Sequence, residues 1–229
     1  MRPTRTELGL RSLRGMTLFL LVMSALLFIP AGTLDYWQAW VLLTIYLVLS
    51  LSGTAYFLLV DPELIARRLT GGPIAEAEPT QKRIMTAMSV CILLMMIVPA
   101  LDHRFGWSHV PTGVTITADL AVVTGFVTTF RVFAENTFAS ARVETTAGQT
   151  VIDTGPYAVV RHPMYAAMLL MFGAKPLALG SYWSFLLLVP FTAILAWRAT
   201  DEERVLVRDL PGYVAYRLKV KYRLVPGVW

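Results

Sequence analysis

"GPYAVVRHPMYAAMLLMFGAKPLALGSYW", residues 155–183, sets Arg161 and His162 directly ahead of Pro163 and a long apolar run. Charged and protonatable side chains are costly to hold beside a membrane-crossing helix, so their place here needs a reason. Proline fits the first helical position, where its missing N–H costs nothing, so a helix is predicted to begin at Pro163. Arg161 and His162 then stand at its N-terminus. The apolar region Met164–Trp197 is long enough to enter a bilayer and return as a hairpin, with Lys175 near its tip.

Two readings of the pair stand at this point. Free backbone N–H groups, the positive dipole end, an arginine and a histidine compose an anion site. The plainer reading is an anchoring arginine beside a capping histidine. The returning helix, "LLLVPFTAILAWRATDEERVL", brings Arg198 and Glu202 back to the same rim, four residues apart on one face, with Glu203 next to them. An i, i+4 surface pair contributes only about 0.2–0.5 kcal/mol. A hairpin that juxtaposes the pair with Arg161 and His162, with Tyr157, Tyr165, Tyr213 and Tyr216 nearby in sequence, instead builds a pocket for a ligand with carboxylate, ammonium and aromatic parts.

The rest of the chain has the same character. Of 229 residues, 56% are hydrophobic and 15% charged, against about 25% charged in ordinary soluble domains. Apolar stretches at Met16–Pro30, Trp37–Val60, Met85–Leu101 and Val114–Phe133 approach the roughly 20 residues that a crossing helix needs. The expectation is an all-α membrane protein of about five transmembrane helices, with a C-terminal helical hairpin and a cytoplasmic cofactor pocket. The count is five if the hairpin re-enters as one unit and six if each arm spans. The first apolar stretch lacks a small-x-small cleavage site and reads as a retained span.

Arginine and lysine fall on one side: before span one, between spans two and three, after span four and through the last 32 residues. The positive-inside rule then places both termini in the cytoplasm. Sixteen arginines against four lysines suggest a GC-rich prokaryote, hence the inner membrane. The single cysteine, Cys91, permits no intrachain disulfide and reads as a packed apolar residue. His103 and His109 read as loop residues without metal-ligand neighbours, so no metal site is expected. Asp61-Pro62 reads as an N-cap and first helical residue, with Gly71, Gly72 and Pro73 ending that short helix. The polar segment around Gly148 reads as a cap between span four and the hairpin.

"GPYAVVRHPMY", "DEERVL" and "GYVAYRLKVKYRLVPGVW" together resemble the integral-membrane isoprenylcysteine carboxyl methyltransferase and phospholipid methyltransferase superfamily. The resemblance runs from about residue 100, including "DHRFGWS", to 229. It departs at Ala166, where glycine is usual, and in its Asp-Glu-Glu cluster. It divides the chain into N-terminal helices, 1–101, and a methyltransferase core, 102–229. It implies an S-adenosylmethionine site lined by Gln149, Thr150, Val151, Ile152, Tyr157, His162, Pro163, Met164, Tyr165 and Glu202, with Arg142 at a further cofactor position. It implies that Arg198 faces the carboxylate of the acceptor, so that Arg198 and Glu202 carry the catalysis. The partners implied are membrane lipids and a lipophilic small-molecule or lipidated acceptor, not nucleic acid. A lipid N-methyltransferase, with Glu202 or Glu203 as base, an NADPH-dependent sterol-reductase-like enzyme and a non-enzymatic lipid-binding protein remain the alternatives.

Overall fold

The computed structural model describes residues 3–69, 78–138 and 149–229. Among the described residues every regular element is helical. The α-helices are α1 (Arg5–Ala31), α2 (Trp37–Val60), α3 (Pro62–Arg68), α4 (Pro79–Phe105), α5 (Thr112–Glu135), α6 (Pro163–Ala178), α7 (Leu188–Asp209) and α8 (Tyr213–Lys219). Short 3₁₀ turns at Gly155–Ala158 and Trp183–Leu187 lead into α6 and α7.

Among the described residues, five segments are long and apolar enough to cross a membrane: α1, α2, α4, α5 and the stretch Trp183–Asp209. Helix α6 has 16 residues, or about 24 Å at 1.5 Å per residue. It nevertheless joins the two ends of the bundle. Its start lies at Glu202 and Glu203. Beyond its other end, the Leu179 carbonyl accepts from the Tyr36 hydroxyl at 2.7 Å, in the α1–α2 connection, and Ser181 donates to Asp102 near the end of α4. Six helical arms therefore return the chain to the end where it started. Gly9 near the start of α1 packs beside Leu58 near the end of α2, and the last residues pair with Arg161.

Local chemistry explains the ends. Thr4 and Glu7 form a reciprocal capping box at α1. Asp61 accepts from the Leu64 N–H at 3.0 Å, with Pro62 at the first helical position, as the sequence predicts. The stop expected at Gly71, Gly72 and Pro73 lies outside the described residues. The residue expectations change at two points. His103 is helical, stacks on Tyr36 at 4.1 Å and bonds the Asp35 carbonyl; α4 runs on to Phe105, so this histidine is a bundle contact and not a loop residue. Lys175 lies in the last turn of α6, near the hairpin tip, but is buried at 2% exposure with its ammonium 3.8 Å from the Phe172 ring centroid. Cys91 is buried, as expected of a packed apolar residue.

Helices α5 and α6 pack against each other more extensively than any other described pair, which fixes where both present their rim residues. Gly125 makes this possible: a Cβ there would lie 2.2 Å from Met171 Cγ and 3.1 Å from the Ala167 carbonyl oxygen. Gly173 on α6 has open space instead. Replacing a helical glycine by alanine ordinarily gains about 1 kcal/mol. Gly125→Ala is expected to lower thermal stability in detergent, because overpacking costs about 1–3 kcal/mol. Gly173→Ala is expected to preserve or raise it. Equal behaviour of the two variants in the same melting experiment would contradict this packing.

Candidate active site

Arg161 and His162 hold the C-terminal segment. Their backbone N–H groups donate to the Tyr222 and Arg223 carbonyls at 2.9 Å each. The Arg161 side chain donates from Nε to Glu203 at 2.7 Å and from Nη1 to the Val220 and Lys221 carbonyls. Glu203 also takes Arg223 Nε at 3.1 Å and lies 3.3 Å from His162 Nε2. The anchoring reading of Arg161 therefore holds, and the open anion site does not. Its guanidinium is committed to a carboxylate and two carbonyls in a buried knot.

That knot shapes a cavity between the start of α6, the last turns of α7, and α8. Tyr157, His162, Pro163, Met164, Tyr165 and Glu202 line it, with Gln149, Thr150, Val151 and Ile152 across from them. All ten residues that the resemblance assigns to the cofactor thus meet around one space. Arg142 lies outside the described residues. Tyr213 and Tyr216, expected near the pocket from the sequence, also line it. Sequence reasoning missed other wall residues: Asn136, whose Nδ2 donates to Tyr157 Oη at 2.9 Å, and Phe138, Leu206 and Leu210. Tyr216 Oη donates to the Tyr157 carbonyl at 2.8 Å, tying α8 to the turn before α6.

Arg198 does not line the cavity. It lies behind it, buried, donating from Nε to Tyr165 Oη at 2.9 Å and from Nη1 to Gln81 Oε1 at 3.1 Å. Tyr165 in turn donates to Glu202. Gln81, fully buried on α4, donates to Asp201 at 2.7 Å. Arg198 and Glu202 do share a face of α7, and Tyr165 bridges them. Glu203 points away from the cavity into the knot, with its oxygens occupied by cations. Of the two carboxylates named as candidate bases, only Glu202 faces the open space.

Burial pushes the Tyr157 phenol up to about 12. Burial first, then the Glu203 and Glu202 carboxylates, holds Tyr213 well above its ordinary range. The aromatic wall is therefore neutral at physiological pH.

Residues 114–210 match the family model described as phospholipid methyltransferase. This segment is similar to that family of membrane methyltransferases. No curated protein matches the chain. The matched span contains α5, the cap, α6 and α7, so it carries most of the cavity wall; α8 lies beyond it. The match suggests a membrane methyltransferase acting on lipid.

The knot gives a direct test. Removing one partner of a buried ion pair costs about 3–5 kcal/mol, because the other charge stays buried. Glu203→Gln is expected to lower the thermal midpoint in detergent far more than Glu202→Gln, which loses one contact at an open wall. Equal midpoints for the two variants would show that Glu203 is not the residue holding the rim.

Proposed function

We propose that the protein is an S-adenosylmethionine-dependent methyltransferase that methylates a lipophilic acceptor, in the first place on a carboxylate. The observation that carries this is the convergence of Glu202, His162, four tyrosines and an unsatisfied hydroxyl on one cavity in a phospholipid methyltransferase-family segment. Tyr213 Oη is buried and has no hydrogen-bond partner among the described residues. Buried hydroxyls are costly to leave unpaired, so a polar ligand at this wall fits the residues present. When bound, S-adenosylmethionine supplies an electrophilic methyl group on a sulfonium.

The chain's own contribution is orientation. Glu202 and Tyr213 hold the polar parts of the cofactor, and the tyrosine faces and Leu206 and Leu210 hold its aromatic part. A carboxylate acceptor is already ionised at neutral pH, so no side chain has to remove a proton. Holding both reactants at attack distance contributes about 7–11 kcal/mol. Arg198, one layer deeper on α7, fixes Tyr165 and through it Glu202; it meets the acceptor carboxylate when its fork turns from Tyr165. The acceptor enters from the bilayer and the cofactor from the cytoplasm, where both chain termini lie, in a prokaryotic inner membrane. Methylation of a lipid amine is the second reading, favoured by the family's description and by Glu202 being the carboxylate that faces the cavity. That route requires a base, and Glu202 is the candidate.

Equilibrium binding to detergent-purified protein tests the cofactor. S-adenosylmethionine is expected to bind and NADPH to fail. Glu202→Gln is expected to weaken binding roughly 10- to 100-fold, the worth of one charge-assisted hydrogen bond. Tyr213→Phe is expected to weaken it without loss of thermal stability. Binding of NADPH alone, or full affinity in both variants, would overturn the reading.

Arg198→Lys separates the two acceptors. With methyl-labelled cofactor and total membrane lipid extract, it is expected to keep cofactor affinity and lose most transfer, because an ammonium lacks the planar two-point fork. Full transfer by this variant would move the amine acceptor to first place.

A further inference from the structure

We propose that Gln81, on α4 and outside the segment that matches the family, is a positioning residue for the transfer step: it keeps Arg198 from pairing with Asp201 and so holds it on Tyr165, behind the cavity. This rests on the reading above that Arg198 meets the acceptor carboxylate.

Arg198 and Asp201 are three residues apart on α7, a spacing at which opposite charges pair directly. Both are buried, where the attraction between them is strengthened. Yet no ion pair joins them among the described residues. Asp201 has two other partners there: Gln81 Nε2, which donates to Oδ2 at 2.7 Å, and Arg204 Nη1, 3.5 Å from Oδ1. Gln81 is fully buried and uses both ends of its amide in the separation, since its Oε1 accepts from Arg198 Nη1 at 3.1 Å.

The directions of these bonds are forced. An arginine only donates and a carboxylate only accepts, so the amide has one orientation, oxygen to Arg198 and nitrogen to Asp201. The same rule applies on the other side. Arg198 Nε donates to Tyr165 Oη at 2.9 Å, so the one phenolic proton goes to Glu202. His162, stacked on the Tyr165 ring at 5.4 Å, holds the plane of the phenol. Two donor chains thus leave Arg198, one ending on Asp201 and the other on Glu202, the carboxylate of the cavity wall. An apolar side chain in place of Gln81 would satisfy neither neighbour, and would let Arg198 turn to Asp201 and leave Tyr165. A glutamate would keep the acceptor for Arg198.

The test uses full-length protein in lipid vesicles with tyrosine labelled by carbon-13 at Cζ, a nucleus whose resonance reports the hydrogen bonds of the phenol. Tyr165→Phe identifies the Tyr165 signal. Gln81→Met removes both amide bonds and is expected to displace that signal. On the same preparation, transfer from methyl-labelled S-adenosylmethionine to total membrane lipid extract is expected to fall roughly tenfold, the worth of one hydrogen bond to a charged group, with cofactor affinity unchanged. Adding Asp201→Ala to Gln81→Met removes the competing carboxylate; the signal is expected to return and transfer to recover in part. A merely structural role for Gln81 gives no such recovery. Gln81→Glu is expected to leave the signal in place, and it carries the test if Gln81→Met does not fold. A Tyr165 signal unmoved by Gln81→Met, displaced alike in the double variant, or displaced by Gln81→Glu overturns the positioning role. Wild type that fails to bind S-adenosylmethionine overturns the methyltransferase reading instead and leaves the resonance shifts standing, so the two failures are distinct.

Discussion

Glu203 is a carboxylate almost without solvent contact, at the end of a bundle where charge is costly. It is tolerated because Arg161, His162 and Arg223 converge on it. Those partners come from the entrance to α6 and from the C-terminal segment, so a single residue of α7 ties three parts of the chain to one point. The backbone bonds from Arg161 and His162 to Tyr222 and Arg223 complete the tie. The cavity exists because the rim is closed in this way. Loss of the knot would leave α8, with Tyr213 and Tyr216, without a fixed position opposite Glu202.

The adjacent carboxylate does the opposite work. Glu202 follows one residue earlier on the same helix, which turns it by about 100° to the open side. The two neighbours divide into a buried brace and an exposed contact group. Behind Glu202, the series Gln81–Arg198–Tyr165 fixes side chains in a layer with little solvent. Gln81 belongs to α4, so a helix outside the family-matched segment reaches the corner where chemistry is proposed. This is a physical reason for an N-terminal half that could otherwise be taken for a mere membrane anchor.

Helix positions were legible because a bilayer demands long apolar runs and Pro163 marks an N-terminus. The cavity wall was legible as a motif, since the hairpin forces residues 157–165 beside 202. The roles within it were less so. In sequence Arg161 reads either as part of an anion site or as an anchor and Glu203 as a candidate base, and only the fold shows that the two pair. Arg198 shares a helical face with Glu202, yet its depth places Tyr165 between it and the cavity. Gln81 carries no motif at all; its bonds to Arg198 and Asp201 arise from α4 packing against α7, a long-range consequence that spacing does not encode. The brevity of α6 concealed that both arms of the hairpin run between the two ends of the bundle.

The central claim is that the space between α6, α7 and α8 takes S-adenosylmethionine. The most direct measurement is photochemical cross-linking of methyl-labelled S-adenosylmethionine to the full-length protein in lipid vesicles, followed by peptide mapping. The account predicts label within residues 149–165 or 202–216, displaced by S-adenosylhomocysteine and not by NADPH. Label confined to α1, α2 or α4, or label displaced by NADPH, would contradict it.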